Sequence, residues 1–169
     1  NAADDLFIHV GFTALKALSV KGRSLPFQQE ADGLIPAEGV AVLALMRLED
    51  ALKKELPILG MIKGIGLSND GNAKGALAPS EEGQIRAMKM ALESSGWEPH
   101  EIGFVDCHAT GTLVGDKQEL ESLQNIFKNN LQKLPISSLK SNMGHLITAS
   151  GAACLIKVLA GMKHGFLPP

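Results

Sequence analysis

The 169-residue chain is 45% hydrophobic and 20% charged, with a formal net charge of -2, the composition of an ordinary globular domain with a real core. Its lysines and arginines are dispersed, only 4% of residues are aromatic and none is tyrosine, which argues against a basic nucleic-acid face or a base-stacking platform. No apolar run is long enough to span a bilayer, and two cysteines make no disulfide framework, so we expect a cytoplasmic protein without a membrane span.

In chain order, "LFIHV" (6–10) is short and apolar between Asp5 and Gly11 and predicts a strand. Residues 21–36 hold turn-forming types and predict a loop. "GVAVLALMRL" (39–48) is a continuous apolar run and predicts a strand buried on both faces. "EDALKKEL" predicts a short charged helix ended by Pro57. "ILGMIKGIGL" (58–67) predicts a second strand beside the first, its glycines marking close backbone approach. "SNDGNAKGALAP" (68–79) predicts a loop of functional size.

The later half alternates more clearly. Ser80 predicts the cap of a helix with Ile85, Met88 and Leu92 on its buried face and Gly96 at its end. "IGFVDC" predicts a strand. Asp116 predicts the opening of a helix, with Glu119 as its capping-box partner. "PISSLK" predicts a brief strand, and "HLITASGAACLIKVLAGMKHG" (145–165) a long helix stopped by Gly165. This order implies a mostly parallel sheet with helices covering it, in which chemistry gathers where strands end and helices begin. Asn1 is not a methionine, and Pro168-Pro169 directly follows a helical pattern. We therefore expect both ends to cut through a larger fold.

His108 and His145 fall at equivalent strand ends. Cys107 is adjacent to His108, but alternating strand side chains put the two on opposite faces, so Cys107 reads as a buried core thiol. Cys154 reads as helix packing. With no ligand spacing such as CxxC, no metal site is predicted. His9, His100 and His164 read as structural or solvated. At a helix N-terminus the dipole holds His145 neutral. Two neutral rings converging on one point form an oxyanion hole, each donor worth roughly 2.7–4 kcal/mol. Lys140, read as buried, needs a partner, for which Glu119 is the candidate. Thr110 and Thr112 offer hydroxyls to a ligand or to local turns. "GIGLSNDGNAKG" lacks both GxGxxG and GK[ST] and gives little support to a nucleotide site.

These motifs also match a family. "DCHATGTLVGDKQELESL" resembles the H-G-T-G-T…G-D-x-x-E segment of β-ketoacyl synthases, and "SSLKSNMGHLITASGAACLIKVLAGMKHGFLPP" their K-x-N-x-G-H segment and following helix. "DGLIPAEGVAVLALMRLEDAL" is similar to their D-G-F-V-x-G-E-G segment, and "LSNDGNAKGALAPS" to the loop after it. The chain departs from the pattern at Leu34, Ala37 and Ala109, all small or apolar exchanges. The ketosynthase domains of type I polyketide and polyunsaturated fatty acid synthases look most similar.

The resemblance implies an α/β, thiolase-like fold fragment with a mixed, mostly parallel sheet. Residues 1–79 would be the end of its first half with a connecting loop, and residues 80–169 most of the second half. It implies decarboxylative Claisen condensation of a malonyl thioester with an enzyme-bound acyl thioester. His108 and His145 would be the catalytic pair, assisted by Lys140, with Glu119 and Asn142 in support, and Thr110 and Thr112 would hold a phosphopantetheine arm. That arm would be carried by an acyl carrier protein, with no cofactor bound directly and no metal. The nucleophilic cysteine is expected upstream of Asn1, in an intact homodimer, so the isolated fragment would be inactive. The alternative is a chain-length-factor-like subunit that binds acyl chains without condensing them.

Overall fold

A computed structural model describes residues 2–71 and 79–166 of the chain; Asn1, most of the predicted 68–79 loop and the Pro168-Pro169 end lie outside the described residues. Eight elements organise it: helices α1 (Leu6–Ala14), α2 (Leu48–Lys53), α3 (Glu81–Ser95), α4 (Leu113–Phe127), α5 (Lys140–Met143) and α6 (Ser150–His164), and strands β1 (Val105–Asp106) and β2 (Ile136–Ser137). The strands pair in parallel, Val105 opposite Ile136 and Asp106 opposite Ser137. Helix α4 lies in the connection between them, the expected crossover arrangement.

The buried centre is Cys107, Ala109, Leu123, Ile126 and Phe127, joined by Ile85, Met88 and Leu92 from the apolar face of α3. Helix α3 begins as its sequence specifies: Ser80 Oγ accepts the Gly83 N–H at 3.2 Å. It ends on Gly96 at φ 72°, a left-handed position that costs glycine little.

Three segments depart from the sequence reading. Residues 6–10 form a helix rather than a strand, because Asp5 caps the turn through its carboxylate and the Ile8 N–H (2.9 Å). No residue of α1 is buried. Residues 40–47 form no strand. Gly39 exchanges backbone bonds with Ala2, but Val40 and Val42 stand 74% and 84% exposed. A strand cannot satisfy its own backbone, and no other described strand pairs with this run or with residues 58–67.

The glycines of 58–67 do mark close approach, to helices rather than strands. A Cβ on Gly66 would strike the Ala87 carbonyl of α3, one on Gly64 the Ala91 carbonyl, and one on Gly60 the Leu159 side chain of α6. The Ile65 N–H donates to Ser94 Oγ at 3.0 Å, fastening the run along α3.

Helix starts shift around the two histidines. Helix α4 begins at Leu113 and not at Asp116, leaving that carboxylate free for tertiary contacts. Helix α6 begins at Ser150, after a 3-10 turn at Ile147–Ala149, so His145 precedes the helix by five residues and not at its first turn.

Candidate active site

His108 leaves β1 on a loop held by two carboxylates from α4. Both oxygens of Glu119 accept backbone N–H groups, from His108 and from Ala109, each at 2.7 Å. Asp116 is 4% exposed and accepts the Gly111 N–H at 3.2 Å and the Phe27 N–H at 2.9 Å, tying the loop to the 19–32 segment. Charge-assisted bonds of this kind from carboxylates to backbone N–H groups are the stronger sort. Gly111 takes φ 79° with the Gly33 carbonyl beside it, a place with no room for a side chain. The Gly33 N–H donates to the Gly111 carbonyl at 2.9 Å.

His145 is pinned through its backbone. Its N–H donates to the Ile35 carbonyl at 2.6 Å, and its carbonyl accepts from the Ala37 N–H at 3.1 Å. The preceding Gly144, at φ 78°, brings the backbone against that carbonyl of Ile35. Ser138 joins the two loops, donating from Oγ to the Ala109 carbonyl at 2.9 Å.

These supports bring the imidazoles of His108 and His145 to 5.6 Å between centroids, edge to face at 82°. The Phe12 ring of α1 lies 6.3 Å from that of His145. Desolvation first, and the nearby Lys140 cation second, lower both rings' affinity for a proton. His145 is pushed down to about 4, with His108 adding to the effect, while Glu119 and Asp116 partly oppose it at His108. His145 Nδ1 accepts the Ile147 N–H at 2.9 Å. A neutral ring that accepts at Nδ1 carries its proton on Nε2, so His145 presents an Nε2–H. The expectation of neutrality from a helix dipole is replaced by burial, Lys140 and His108.

Lys140 is 4% exposed, but it begins α5 rather than ending a strand. Its expected partnership with Glu119 is corrected: no ion pair joins them, because both Glu119 oxygens are turned to the loop backbone. Lys140 acts on the site as a positive neighbour of both rings, opposed at His108 by Glu119 and Asp116. Thr110 Oγ1 and Thr112 Oγ1 lie 3.0 Å apart on the same loop. Asn142 is exposed on α5, its Oδ1 accepting from Ser141 Oγ at 3.4 Å.

Cys107 is buried in the core, and burial, with Glu119 and Asp106 next, pushes its thiol up to about 12. Burial and Asp106 push Cys154 up to about 11. Neither ionises near neutral pH, so neither is an activated nucleophile. Among the described residues no group of His, Cys, Asp and Glu forms a metal cluster, and no helix is long and apolar enough to cross a membrane. Ser138, the Asp116 clamp, the Ile147 N–H and the 35–37 segment were not predicted as parts of the site. Only the G-H pair of "NMGH" hinted that the backbone before His145 needs a glycine.

His108, exposed on the loop after β1, and His145, half-buried after α5, stand edge to face as two neutral imidazoles, an arrangement able to offer N–H groups to an oxygen that gains negative charge. Residues 59–169 match the family described as "Beta-ketoacyl synthase, C-terminal domain", and residues 4–51 match its N-terminal domain. The chain belongs to the β-ketoacyl synthase family. It is 39% identical over 163 residues to 5-methyl-1-naphthoate synthase of Streptomyces sahachiroi, covering 95% of this chain and 9% of that protein. It is 38% identical over 167 residues to the pikromycin polyketide synthase component PikAIII of Streptomyces venezuelae, covering 97% and 11%.

The chain thus spans about a tenth of the length of these relatives. Among solved structures, the ketosynthase from module 6 of the bacillaene synthase from Bacillus subtilis 168 superposes with a TM-score of 0.90 at 35% identity. That match covers 97% of this chain and 30% of the other. The ishigamide ketosynthase/chain length factor also superposes at 0.90, with 32% identity and coverage of 99% and 40%. The fold is accordingly the thiolase-like α/β fold of ketosynthases, with helices and a small parallel sheet.

Proposed function

We propose that this chain supplies the two-histidine half of the active site of a β-ketoacyl-[acyl-carrier-protein] synthase. The observation that carries the reading is the pairing of His108 with His145 at 5.6 Å, with the His145 proton on Nε2. A malonyl thioester docks with its carbonyl oxygen against the two N–H donors. The carbon–carbon bond to the carboxylate breaks, carbon dioxide leaves, and the electron pair moves onto the carbonyl oxygen as an enolate. Donors already aimed at that oxygen stabilise the charge without reorganising.

The enolate carbon then attacks an acyl thioester held on a cysteine of the intact protein. The carbonyl re-forms, and the cysteine leaves as thiolate. Burial, aided by the nearby Lys140, favours the unprotonated form of both rings, while Glu119 fixes the His108 loop. Thr110 and Thr112 are assigned to the phosphopantetheine arm of an acyl carrier protein, and Asn142 to the support of the histidine pair. The intact protein is assigned as a cytoplasmic homodimer acting on malonyl and acyl thioesters.

A second reading is supported by the ketosynthase/chain length factor neighbour: a subunit that binds acyl chains and carrier protein without joining them. Retention of both histidines favours the condensing enzyme. The test is to supply the intact protein with an acyl-carrier thioester and malonyl-carrier protein, and to measure carbon dioxide release and the β-ketoacyl product. Release with product is expected. Acyl binding with neither supports the second reading, and no acyl binding at all overturns both.

A further inference from the structure

Beneath the histidine loops lies a buried ion pair that the proposed chemistry leaves unused. Lys157 of α6 donates from Nζ to Asp106 Oδ1 at 3.2 Å and to Ser137 Oγ at 2.6 Å, and Ser137 Oγ donates to the same Asp106 oxygen at 3.0 Å. The three polar atoms close a triangle. The Lys157 and Asp106 side chains are each only 6% exposed, so water does little to screen them.

The placement of this triangle gives it a role. Asp106 and Ser137 are register partners across β1 and β2, and Lys157 reaches both from the helix that covers them. His108 follows Asp106 by two residues, and Lys140 follows Ser137 by three. The strands are two residues long, so few ladder bonds hold their ends together, and a two-stranded ribbon has little stability of its own. Asp106 Oδ2 is buried with no hydrogen-bond partner among the described residues. The carboxylate is held by Lys157 and Ser137, with the Cys154 thiol also against it, and removing Lys157 takes away its ion-pair partner and leaves a buried charge under the histidine loop.

We infer that Asp106 and Lys157 are positioning residues that lock the two strand ends together and so hold His108 and His145 at the separation the decarboxylation step requires. The inference rests on the proposed function, since it concerns the spacing of that donor pair. A reacting group misplaced by about 1 Å costs about a hundredfold in rate, so a small slip of one strand end is enough to be measured.

The experiment uses the intact protein carrying Lys157→Met, with carbon dioxide release from malonyl-carrier protein and acyl loading measured side by side. The expected result is a fall in kcat for release of about tenfold to a hundredfold, with KM for malonyl-carrier protein and acyl loading little changed. Loading and release falling in parallel would mean the pair serves overall stability only, and release at the native rate would mean it does not set the spacing; either overturns the inference. If Lys157→Met does not fold, Asp106→Asn, which keeps an acceptor for Ser137 Oγ, is read the same way. Native protein that loads acyl chains but releases no carbon dioxide removes the condensing function itself, and this inference with it.

Discussion

The backbone N–H of Ile147 donates to Nδ1 of His145 at 2.9 Å, which leaves the neutral ring's proton on Nε2. A protonated ring cannot accept that bond. Burial, Lys140 and His108 lower His145 from about 6.5 to about 4. Its contribution to stability is full above the unfolded value of about 6.5 and is lost as pH falls through about 4, because the unfolded ring takes up a proton that the folded ring refuses. Carbon dioxide release by the intact protein is therefore expected to show no loss from His145 protonation between pH 8 and pH 6, falling only as pH approaches 4. A His145-dependent midpoint near 6.5 would show that the ring ionises normally.

His145→Ala removes one of the two donors. Loss of a single oxyanion donor costs about a hundredfold or more, so decarboxylation by the intact protein should fall at least that far. Acyl loading, which needs the cysteine and not the pair, should persist. Near-native carbon dioxide release from the variant would refute the role.

Glu119→Gln tests the loop clamp. Both carboxylate oxygens now accept an N–H, and an amide can offer only one acceptor, setting its own N–H₂ against a backbone donor. A loss of roughly 1–3 kcal/mol is expected from an unsatisfied N–H of this kind, read as a lowered Tm. Decarboxylation should weaken with it, since the misplaced donor is that of His108. An unchanged Tm would mean that the loop holds its shape without the carboxylate.

Cys107 should be inert in the folded protein. Its thiol is 2% exposed and pushed up to about 12, so iodoacetamide at pH 8 should leave it unmodified, and label it only after denaturation. Rapid labelling of Cys107 in the native state would contradict its place in the core.

Gly66→Ala places a methyl group against the Ala87 carbonyl of α3. Such overpacking costs roughly 1–3 kcal/mol, whereas Gly103→Ala, with open space around it, should be close to neutral. Equal Tm values for the two variants would show that residues 58–67 do not lie on α3 as described.

Much of the second half was legible because its signals are local. Ser80 and Gly96 bound α3 as their capping chemistry dictates, and "IGFVDC" and "PISSLK" hold the two strands, with a helix in the crossover between them. The first half was misread where local and tertiary signals diverge. "LFIHV" carries apolar residues that suit a strand, yet the Asp5 cap decides for helix. "GVAVLALMRL" is strand-like in composition, but its backbone finds no neighbouring strand among the described residues.

The identity of the two histidines, the small residues around them and the burial of Cys107 follow from the order of side chains along the chain, because alternation and motif spacing act within a few residues. The tautomer of His145, the turn of Glu119 away from Lys140 and toward the backbone, and the Asp106–Lys157 pair belong to the tertiary structure alone. Each depends on a group from a distant segment arriving at hydrogen-bond distance, or failing to. Such distances are set by how the helices seat on the strands, and no local pattern encodes them.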